Sequence, residues 1–465
     1  MALVNVAPKL HPEEYERNFS DISPRMTRQQ ALLEAARCLF CYDAPCTQAC
    51  PTHIDVPSFI KKIATGNLKG SARVILTANI LGESCGRVCP TEVLCEGACV
   101  MNRDGQKPIE IGRLQRYAAD YVFDNNIRLF QAGAPNGRRV ACIGSGPASL
   151  ACAADLAKWG YEVVVYDKNE LPGGLNTYGI AAYKTRAWES LREAKMVEDL
   201  GVKFRQRVEV GKEVTLAELD EQFDAVFVGA GLGETADLHV PGEELQGVYS
   251  AIEFIEPTKT RPFETIDVGC RVVVIGAGNT AIDVVTAARR LGAHHISIIY
   301  RRSEREMSAF KYEYELAQKD GVNFNWNVQP VRIVGTTHVE GVECIRTRPG
   351  GNAGRGRKTH VESIAGTEFI IPADMVVRAL GQQAVLGFLE SVPGIAISAG
   401  RVIVEPETGQ TGNPKYFAGG DCVNGGKEVV DAVAEGMRAA HSIDEWLAKL
   451  EGASRQLVAK GKRDL

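Results

Sequence analysis

Two stretches of the chain repeat one pattern of hydrophobic and polar positions. In the first, an apolar run at 140–143 precedes a glycine-rich turn, a helical pattern at 150–160 and a second apolar run at 161–167. The second stretch follows the same order between residues 271 and 302. Short β-branched runs predict strands, and apolar residues at helical spacing predict the helix between them. The repetition indicates two doubly wound α/β domains.

The remaining sequence differs from these repeats. A helical pattern covers 26–37, and an amphipathic segment covers 56–76. Residues 131–139 are rich in Gly, Pro and polar side chains, which predicts a linker. Between 323 and 369, β-branched and polar residues alternate. We therefore expect antiparallel strands beside the second repeat, with a Gly/Arg-rich hairpin tip at 349–358.

Composition and charge narrow the function classes. The chain has 465 residues, enough for about three domains, and is 45% hydrophobic with a net charge of −5. This mild acidity argues against nucleic acid as a main partner, because phosphate binding needs a clustered basic surface. No apolar run approaches the roughly 20 residues of a membrane-spanning helix, and the N-terminus lacks a basic-then-apolar signal pattern. We expect a cytoplasmic protein.

Eight of the thirteen cysteines lie between Cys38 and Cys99. In a reducing compartment, such a concentration more often binds metal than forms disulfides. The first run ends in Cys50-Pro51, as in two-cluster ferredoxins, where this last cysteine ligates the other cluster. Soft, charged thiolates match the iron of iron–sulfur clusters. A pair of zinc sites is the alternative, although only Cys38 and Cys41 have the short CxxC spacing of zinc ribbons.

The first repeat carries a dinucleotide-binding motif, Gly144-x-Gly146-x-x-Ser149. The first glycine permits a tight turn, the second lets the backbone approach a pyrophosphate, and the small serine permits close helix–strand packing. The helix N-terminus then faces the phosphates. Asp167, 23 residues after Gly144, is placed to accept hydrogen bonds from a ribose. An ordinary glycine-rich turn is the alternative.

Two further features favour FAD as the ligand of this domain. Gly174 and Leu175 belong to a PGGL segment that closely follows the first repeat, and Gly420 and Asp421 end an FAGGD segment before a predicted helix. In similar flavoproteins, the matching aspartate contacts the ribityl–phosphate part of the flavin. A helix start directed at the isoalloxazine would stabilise reduced, anionic flavin. The alternative for Asp421 is an ordinary helix N-cap.

The second repeat carries the motif Gly276-x-Gly278-x-x-Ala281, and its second strand leads into Arg301-Arg302 rather than an acid. An acid there would bind the 2′-hydroxyl of NAD, whereas arginines pair with the 2′-phosphate of NADP. We therefore expect NADPH, with NADH as the alternative nucleotide. The alternative for the two arginines is a solvated basic turn.

The cysteine pattern, taken with IGRLQ at 111–115, resembles the N-terminal cluster domain of dihydropyrimidine dehydrogenases and is similar to the small subunit of NADPH-dependent glutamate synthase. The resemblance extends through both glycine motifs to FAGGD. Gln115 favours the first family, because glutamate synthase small subunits resemble IGNIE, with glutamate. Related sequences often have GIPxFRLP where this chain has GIAAYKT at 179–185, so no flavin contact is predicted there. The chain ends after the flavin domain, and we expect a small (PreT-type) subunit of a bacterial dihydropyrimidine dehydrogenase.

The resemblance implies the metal ligands, which are two sets of four. One [4Fe–4S] cluster would use Cys38, Cys41, Cys46 and Cys99, and the other would use Cys50, Cys89, Cys95 and the side chain of Gln115. Cys85 matches a family cysteine that is not a ligand. From the residues alone, a helical glutamine such as Gln115 is more often solvated.

The expected fold class is α/β, with an N-terminal α-helical iron–sulfur domain followed by two doubly wound dinucleotide-binding domains, the second inserted in the first. We expect the helical domain with two [4Fe–4S] clusters at 1–135. The FAD-binding domain is expected at 136–235 and 382–450, and the NAD(P)H-binding domain at 236–381.

NAD(P)H delivers two electrons as hydride, clusters accept electrons singly, and a flavin does both. The expected order is therefore NAD(P)H, FAD, cluster, and we predict no catalytic side chain because hydride transfer needs no general base. The resemblance implies a partner subunit with FMN and iron–sulfur that reduces uracil or thymine to 5,6-dihydropyrimidines. The alternatives are a glutamate synthase small subunit, a stand-alone NADPH:ferredoxin-type oxidoreductase and, in another class, a non-catalytic scaffold that holds metal and nucleotide.

Overall fold

A computed structural model describes residues 3–350 and 360–461, so most of the predicted hairpin tip at 349–358 lies outside the described residues. The helices of the described chain are α1 (Pro12–Asn18), α2 (Arg28–Ala36), α3 (Pro45–Gln48), α4 (Val56–Ala64), α5 (Leu68–Ala78), α6 (Gly82–Val88), α7 (Ile111–Asp124), α8 (Pro147–Lys158), α9 (Leu175–Tyr178), α10 (Ala187–Glu198), α11 (Leu216–Gln222), α12 (Ala251–Thr260), α13 (Asn279–Leu291), α14 (Lys311–Lys319), α15 (Leu386–Leu389), α16 (Asp421–Asn424) and α17 (Val429–Gly461). Short 3₁₀ helices cover Thr91–Val93, Val100–Asp104, Phe263–Thr265 and Glu304–Glu306. None of the described helices is long and apolar enough to cross a membrane.

The strands of the described chain are β1 (Arg139–Ile143), β2 (Glu162–Asp167), β3 (Lys203–Gln206), β4 (Ala225–Val228), β5 (Val248–Ser250), β6 (Arg271–Ile275), β7 (His295–Tyr300), β8 (Asn323–Trp326), β9 (Val328–Gly335), β10 (Val339–Pro349), β11 (Val361–Ser363), β12 (Phe369–Pro372), β13 (Met375–Arg378), β14 (Ile397–Ser398), β15 (Arg401–Val402) and β16 (Tyr416–Ala418). Both predicted strand–helix–strand repeats are present, as β1–α8–β2 and β6–α13–β7.

The chain divides into two compact units. The larger unit consists of residues 23–177, 188–232 and 384–461. The smaller unit consists of residues 3–22, 178–187, 233–350 and 360–383.

The larger unit contains a parallel sheet in the order β16-β4-β1-β2-β3. The chain leaves this sheet after β4 and returns to pair β16 with β4, so the intervening second sheet is inserted in the first. Strands β1 and β4 are almost wholly buried, as expected for parallel strands that are covered on both faces. On one face, α17 approaches α8 so closely that a Cβ on Gly436 would lie 2.0 Å from the Ala148 carbonyl oxygen. The predicted fold class, including the insertion, is confirmed.

The helical region of the larger unit precedes this sheet and is built from locally capped helices. Thr27 and Gln30 form a capping box at the start of α2, with each side chain bonded to the other's backbone nitrogen. The Asp55 side chain accepts the Ser58 N–H at 3.1 Å and starts α4. The apolar faces of α2, α4, α5 and α7 form one core, which also includes cysteines of both runs.

The smaller unit contains the second parallel sheet, in the order β5-β13-β6-β7-β8, and an antiparallel sheet of β9 to β12. The prediction of antiparallel strands from 323 onwards is wrong for β8, which pairs with β7 in parallel. The reason is its connection: α14 crosses from the end of β7 to the start of β8, and such a crossover returns the chain in the same direction.

The first residues of the chain were predicted to belong to the helical iron–sulfur domain at 1–135, and the structure differs from this prediction. Residues 3–22 belong to the smaller unit rather than to the helical region. Leu3, Ala7, Tyr15 and Phe19 are buried in the core of the second parallel sheet, and Phe19 stacks on Phe263 with ring centroids 4.1 Å apart. Burial of these side chains accounts for the placement of the N-terminal segment.

The segment 178–187, where the sequence departs from GIPxFRLP, belongs to the smaller unit and is held by buried ionic contacts. Lys184 Nζ lies 2.6 Å from Asp283 Oδ1 and 2.5 Å from Glu313 Oε1. The Tyr183 hydroxyl donates a hydrogen bond to Asp283 at 2.9 Å. A lone buried charge would be costly, so this mutual pairing fixes the segment in place.

Candidate functional site

Four cysteines of the helical region open onto one cavity, and we call them the first cysteine group: Cys38, Cys41, Cys46 and Cys99. The rest of the cavity wall is apolar and includes Val56, Ile60 and Ile111. Burial, with a contribution from the neighbouring sulfurs of Cys38 and Cys99, raises the pKa of Cys46 to about 11. Thiolates packed this closely need a positive charge among them, which iron supplies. The arrangement therefore fits a sulfur-bound metal centre.

Cys50, Cys89 and Cys95 form the second cysteine group. A hydrogen bond with Cys85 that holds the proton on Cys89, then burial, then the charges of Cys85, Cys95 and Cys50 raise the pKa of Cys89. Burial also raises the pKa of Cys95, and Cys50 is again one of its charged neighbours. Among the described residues, no three Cys, His, Asp or Glu side chains are spaced to hold a single metal ion. The ligands of a [4Fe–4S] cluster each bind a different iron atom.

Gln115 is buried on α7, with a relative exposure of 7%, so it is not a solvated helix residue, as most glutamines in helices are. Its Nε2 donates a hydrogen bond to the Gly82 carbonyl oxygen at 2.8 Å. Gly82 begins α6, and the same helix ends at Val88, with Cys89 of the second cysteine group as its C-cap. The bond at Nε2 fixes the side-chain amide, and the oxygen is its other polar atom.

The first glycine motif lies where β1 meets α8. Gly144 has φ +90°, and a Cβ there would lie 2.4 Å from the Gly229 carbonyl oxygen, so a side chain is excluded. Gly146 is the N-cap of α8 and supplies no side-chain cap, which leaves the first amides of a twelve-residue helix for an anion. Ser149 is fully buried on α8, and Gly174 lies directly against the Gly146 backbone.

Two buried amides beside this loop were not predicted. Gln206 ends β3 directly opposite Asp167 of β2, and its side-chain oxygen and nitrogen are shielded from solvent without hydrogen-bond partners among the described residues. Asn176 lies next to Leu175 in α9, and its side-chain oxygen is also shielded from solvent without a hydrogen-bond partner among the described residues. Unsatisfied buried amides are expensive, and the carboxyl edge of a parallel sheet is where dinucleotides bind. These orphaned atoms fit a polar ligand such as FAD.

The FAGGD segment begins within β16, at Phe417, and ends at Asp421. Gly420 is the N-cap of the short helix α16, and its N–H donates to Glu435 Oε2 at 2.6 Å. Asp421 is the first residue of α16 and not its N-cap, the alternative considered for this residue. Burial, with contributions from the charges of Glu435 and Asp431, raises the pKa of Asp421 to about 6. A short helix and a turn therefore separate Asp421 from α17, which begins at Val429.

The second glycine motif lies where β6 meets α13 in the smaller unit. Gly276 has φ +129°, and a Cβ there would lie 2.2 Å from the Ala379 carbonyl oxygen. Gly278 is the N-cap of α13 and gives it no side-chain cap, and Ala281 is fully buried on the same helix. The start of α13 therefore has the same free amides as the start of α8.

Arg301 and Arg302 follow β7, the strand beside β6. Their backbone carbonyls accept hydrogen bonds from Thr347 Oγ1 and the Asn327 N–H, which fixes the turn. The Arg301 side chain is exposed, and Arg302 Nε lies 3.9 Å from Glu306 Oε1. The two arginines thus lie at the carboxyl end of the second strand, where the 2′ position of a bound nucleotide is read.

Comparison with known families covers most of the chain. Residues 15–127 match the family described as "Dihydroprymidine dehydrogenase domain II, 4Fe-4S cluster". Residues 138–436 match the family described as "Pyridine nucleotide-disulphide oxidoreductase". Together these matches imply FAD, NAD(P)H and iron–sulfur as cofactors.

Curated relatives and solved structures agree with this assignment. The small chain of glutamate synthase [NADPH] from Escherichia coli is 37% identical over 464 residues, covering 96% of this chain and 98% of the relative. The NAD-dependent dihydropyrimidine dehydrogenase subunit PreT from Salmonella typhimurium is 33% identical over 434 residues, covering 93% and 98%. Mycobacterium tuberculosis FprA in complex with NADPH shares the fold, with a TM-score of 0.56 at 21% identity over 68% of this chain and 86% of FprA.

The matches and the geometry lead to one assignment. An iron–sulfur domain precedes a flavin and pyridine-nucleotide region in one polypeptide, so the chain is an NAD(P)H-dependent oxidoreductase with an electron-input role. The chain belongs to the superfamily of glutamate synthase small subunits.

Proposed function

We propose that this chain is the electron-input subunit of a dihydropyrimidine dehydrogenase. It takes hydride from NAD(P)H and passes single electrons to a partner subunit with FMN and iron–sulfur, which reduces uracil or thymine to the 5,6-dihydro form. The observation that carries the proposal is the burial of Gln115 against α6, the helix that leads into Cys89. Dihydropyrimidine dehydrogenases have glutamine at the matching position, whereas glutamate synthase small subunits have glutamate.

The helical region holds two [4Fe–4S] clusters in this proposal. The first cysteine group supplies all four ligands of one cluster, and its common cavity supports this assignment. The second cysteine group supplies three ligands of the other, and the Gln115 side-chain oxygen supplies the fourth. A neutral amide in place of a thiolate leaves that cluster less negative, which by charge alone raises its reduction potential.

The flavin is held by the carboxyl edge of the first sheet. FAD, when bound, accepts an electron pair and releases single electrons. The free amides at the start of α8 bind its pyrophosphate beside Gly144 and Gly146, and Gln206 and Asn176 satisfy their orphaned amides on its polar groups. Asp421 would contact the ribityl–phosphate part, as the matching aspartate does in similar flavoproteins. The protein's contribution is to orient the flavin and exclude water from it.

The pyridine nucleotide is held by the second glycine motif. The amides at the start of α13 bind its pyrophosphate beside Gly276 and Gly278, and Ala281 permits close packing of the helix. Arg301 and Arg302 pair with a 2′-phosphate, so the preferred donor is NADPH. The Escherichia coli relative is named for NADPH, and the Salmonella typhimurium relative is named for NAD.

The small subunit of a glutamate synthase is the second candidate function. It is supported by the 37% identity to the Escherichia coli small chain, over 98% of that relative. The two candidates share flavin and cluster chemistry and differ in the partner that accepts the electrons. The discriminating experiment therefore has to supply each partner in turn.

The test mixes the purified holoprotein with the catalytic subunit of a bacterial dihydropyrimidine dehydrogenase, or with a glutamate synthase large chain, under anaerobic conditions. The proposal expects NADPH oxidation that depends on uracil with the first partner and no glutamate formation with the second. The Cys270→Ser variant, altered in the smaller unit, is the control and should behave as the unmodified protein. Glutamate formation without uracil reduction would establish the second candidate instead.

A further inference from the structure

We infer that Asn279 is a positioning residue for the pyridine nucleotide. It holds the arginine loop, residues 301–310, against the second glycine motif and thereby keeps Arg301 and Arg302 in place to bind a 2′-phosphate. Asn279 acts through the arginines and not on the nucleotide itself. The inference rests on the nucleotide site of the proposed function, because it requires that these arginines bind that phosphate. It adds a residue that determines the preference for NADPH over NADH.

The end of the arginine loop is tied to the second glycine motif by its backbone. The N–H groups of Ser308 and Ala309 both donate to the Ala277 carbonyl oxygen, each at 3.2 Å. Ala277 directly precedes Gly278, and a Cβ on Gly278 would lie 3.2 Å from Ser308 Oγ. The loop and the motif are therefore in direct contact.

The Asn279 side chain makes a third contact at the same place. Asn279 is the first residue of α13, directly after the N-cap Gly278. Its Oδ1 accepts the Phe310 N–H at 3.0 Å, which is shorter than either of the bonds to Ala277. Phe310 is in turn the N-cap of α14. Asn279 therefore joins the start of α13, where the pyrophosphate site is proposed, to the end of the arginine loop.

The rest of the arginine loop is held independently of Asn279. The hydrogen bonds to the Arg301 and Arg302 carbonyls fix the start of the loop beside β7. In its middle, the Glu306 carbonyl oxygen accepts the Tyr300 hydroxyl at 3.0 Å, and Glu306 Oε2 accepts the Ser303 hydroxyl at 2.9 Å. The contacts with the glycine motif thus complete a loop that is anchored at its start, its middle and its end.

These anchors organise the arginines before the nucleotide binds. A loop that is already held in its binding geometry loses little conformational freedom when a ligand binds. Without the Asn279 acceptor, the end of the loop gains freedom that has to be lost again when Arg301 and Arg302 pair with a 2′-phosphate. NAD⁺ has a hydroxyl at that position and gains nothing from the arginines. Loss of the Asn279 contact should therefore weaken NADP⁺ binding selectively.

The test measures equilibrium binding and not turnover. Calorimetric titrations of the oxidised holoprotein with NADP⁺ and with NAD⁺ give two dissociation constants, and NAD⁺ binding also reports whether the nucleotide site of each variant is folded. Asn279→Ala, Arg301→Ala and the variant that combines them are compared with the unmodified protein. Asn325→Ala is the matched control, because Asn325 Nδ2 donates to the Ile298 carbonyl oxygen at 3.2 Å in the same sheet, away from the arginine loop.

In Asn279→Ala, the dissociation constant of NADP⁺ should rise about threefold to tenfold, as for the loss of one hydrogen bond, and that of NAD⁺ should change little. In the combined variant, the loss of NADP⁺ affinity should be smaller than the product of the two single losses, because Asn279 acts through the arginines. Asn325→Ala should change neither dissociation constant.

Three results would overturn the inference: an unchanged NADP⁺ constant in Asn279→Ala, equal rises for both nucleotides in that variant, or a combined loss that equals the product of the single losses. Arg301→Ala separates this failure from a failure of the proposed nucleotide site. NADP⁺ binding that does not change in Arg301→Ala would refute the arginine assignment itself.

Discussion

Asp167 accepts hydrogen bonds from both the backbone nitrogen and the hydroxyl of Ser145, at 2.7 and 2.6 Å. Its second oxygen accepts the Asn169 N–H at 2.8 Å. Ser145 lies between the two glycines of the first motif, so the carboxylate predicted to bind a ribose also braces the loop beside the pyrophosphate site. Because a carboxylate offers about four acceptor positions, a place for a ribose hydroxyl remains.

Asp167→Ala is expected to weaken FAD binding. It removes a charge-assisted bond to the loop, and one such bond contributes roughly 1.5–3 kcal/mol, equivalent to a loss of about tenfold to a hundredfold in affinity. The measurement is the dissociation constant of FAD added back to flavin-free protein. Asp224→Ala is the matched control, since Asp224 accepts the Arg139 N–H at 2.7 Å at the opposite end of β1. Equal losses in both variants would contradict a specific role for Asp167.

Cys46→Ser is expected to remove the first cluster alone. Cys46 is one of four thiols around a common cavity, and a cluster that lacks one thiolate ligand is lost or degraded. Iron should fall from about eight to about four per chain, two clusters of four iron atoms becoming one. Cys270→Ser provides the control, because Cys270 is a half-buried thiol in the smaller unit. An iron content that does not change in Cys46→Ser would refute the ligand assignment.

Arg301→Ala is expected to weaken NADPH more than NADH. The exposed guanidinium at the end of β7 pairs with a 2′-phosphate that only NADPH carries, and loss of one charge-assisted contact costs about 1.5–3 kcal/mol. The KM for NADPH should rise about tenfold or more, whereas the KM for NADH should change little. NADH thus serves as the internal control. An equal rise in the KM for NADPH and for NADH would show that Arg301 does not contact the 2′-phosphate.

Much of the fold could be predicted from the sequence, because the spacing of apolar residues and the positions of glycines indicate the local secondary structure. Apolar runs predicted β1 and β6 to within a residue of their observed bounds. The predicted pairing of β8 was wrong. An alternating pattern shows which residues share a face of a strand, but it does not show the direction of the neighbouring strand. The placement of residues 3–22 was missed for a similar reason, since an apolar residue does not identify the core that buries it.

The candidate site could be predicted only in part. Gly144 and Gly276, which precede α8 and α13, are visible as motif positions, because their positive φ angles and close backbone neighbours restrict them to glycine. Gln206 and Asn176 were missed, because a buried amide without a partner is recognisable only from its surroundings. The burial of Gln115 likewise depends on the packing of α7 against α6. A glutamine in a helix carries no such signal in its own sequence.

Glu193 gives a prediction about pH. It is fully buried in α10, and its Oε1 accepts the N–H groups of Glu83 and Ser84, each at 2.9 Å, at the start of α6. Burial raises its pKa from 4.5 to about 7, although hydrogen bonds from Ser84 and the charges of Arg87 and Arg192 oppose the rise. Between pH 4.5 and 7 the folded protein therefore holds this proton while the unfolded chain has lost it.

The free energy of unfolding should consequently fall as pH rises through this window, by up to about 3 kcal/mol from this group. The Glu193→Gln variant has no proton to lose at this position. The Tm of the variant minus that of the unmodified protein should therefore increase from pH 4.5 to 7 and stay constant above pH 7. Scanning calorimetry across this range is the measurement. Glu198→Gln, at an exposed position of α10, is the control. Parallel pH profiles for Glu193→Gln and the unmodified protein would contradict the prediction.

The central claim is that one polypeptide carries hydride from a pyridine nucleotide to a flavin and then single electrons to sulfur-bound iron. The most direct measurement is an anaerobic titration of the holoprotein with NADPH, followed by visible absorbance and EPR on the same samples. The account predicts that the flavin bleaches and that signals of reduced [4Fe–4S] clusters then appear in the same chain. A flavin that bleaches while every cluster stays oxidised, or a protein that contains zinc in place of iron, would contradict it.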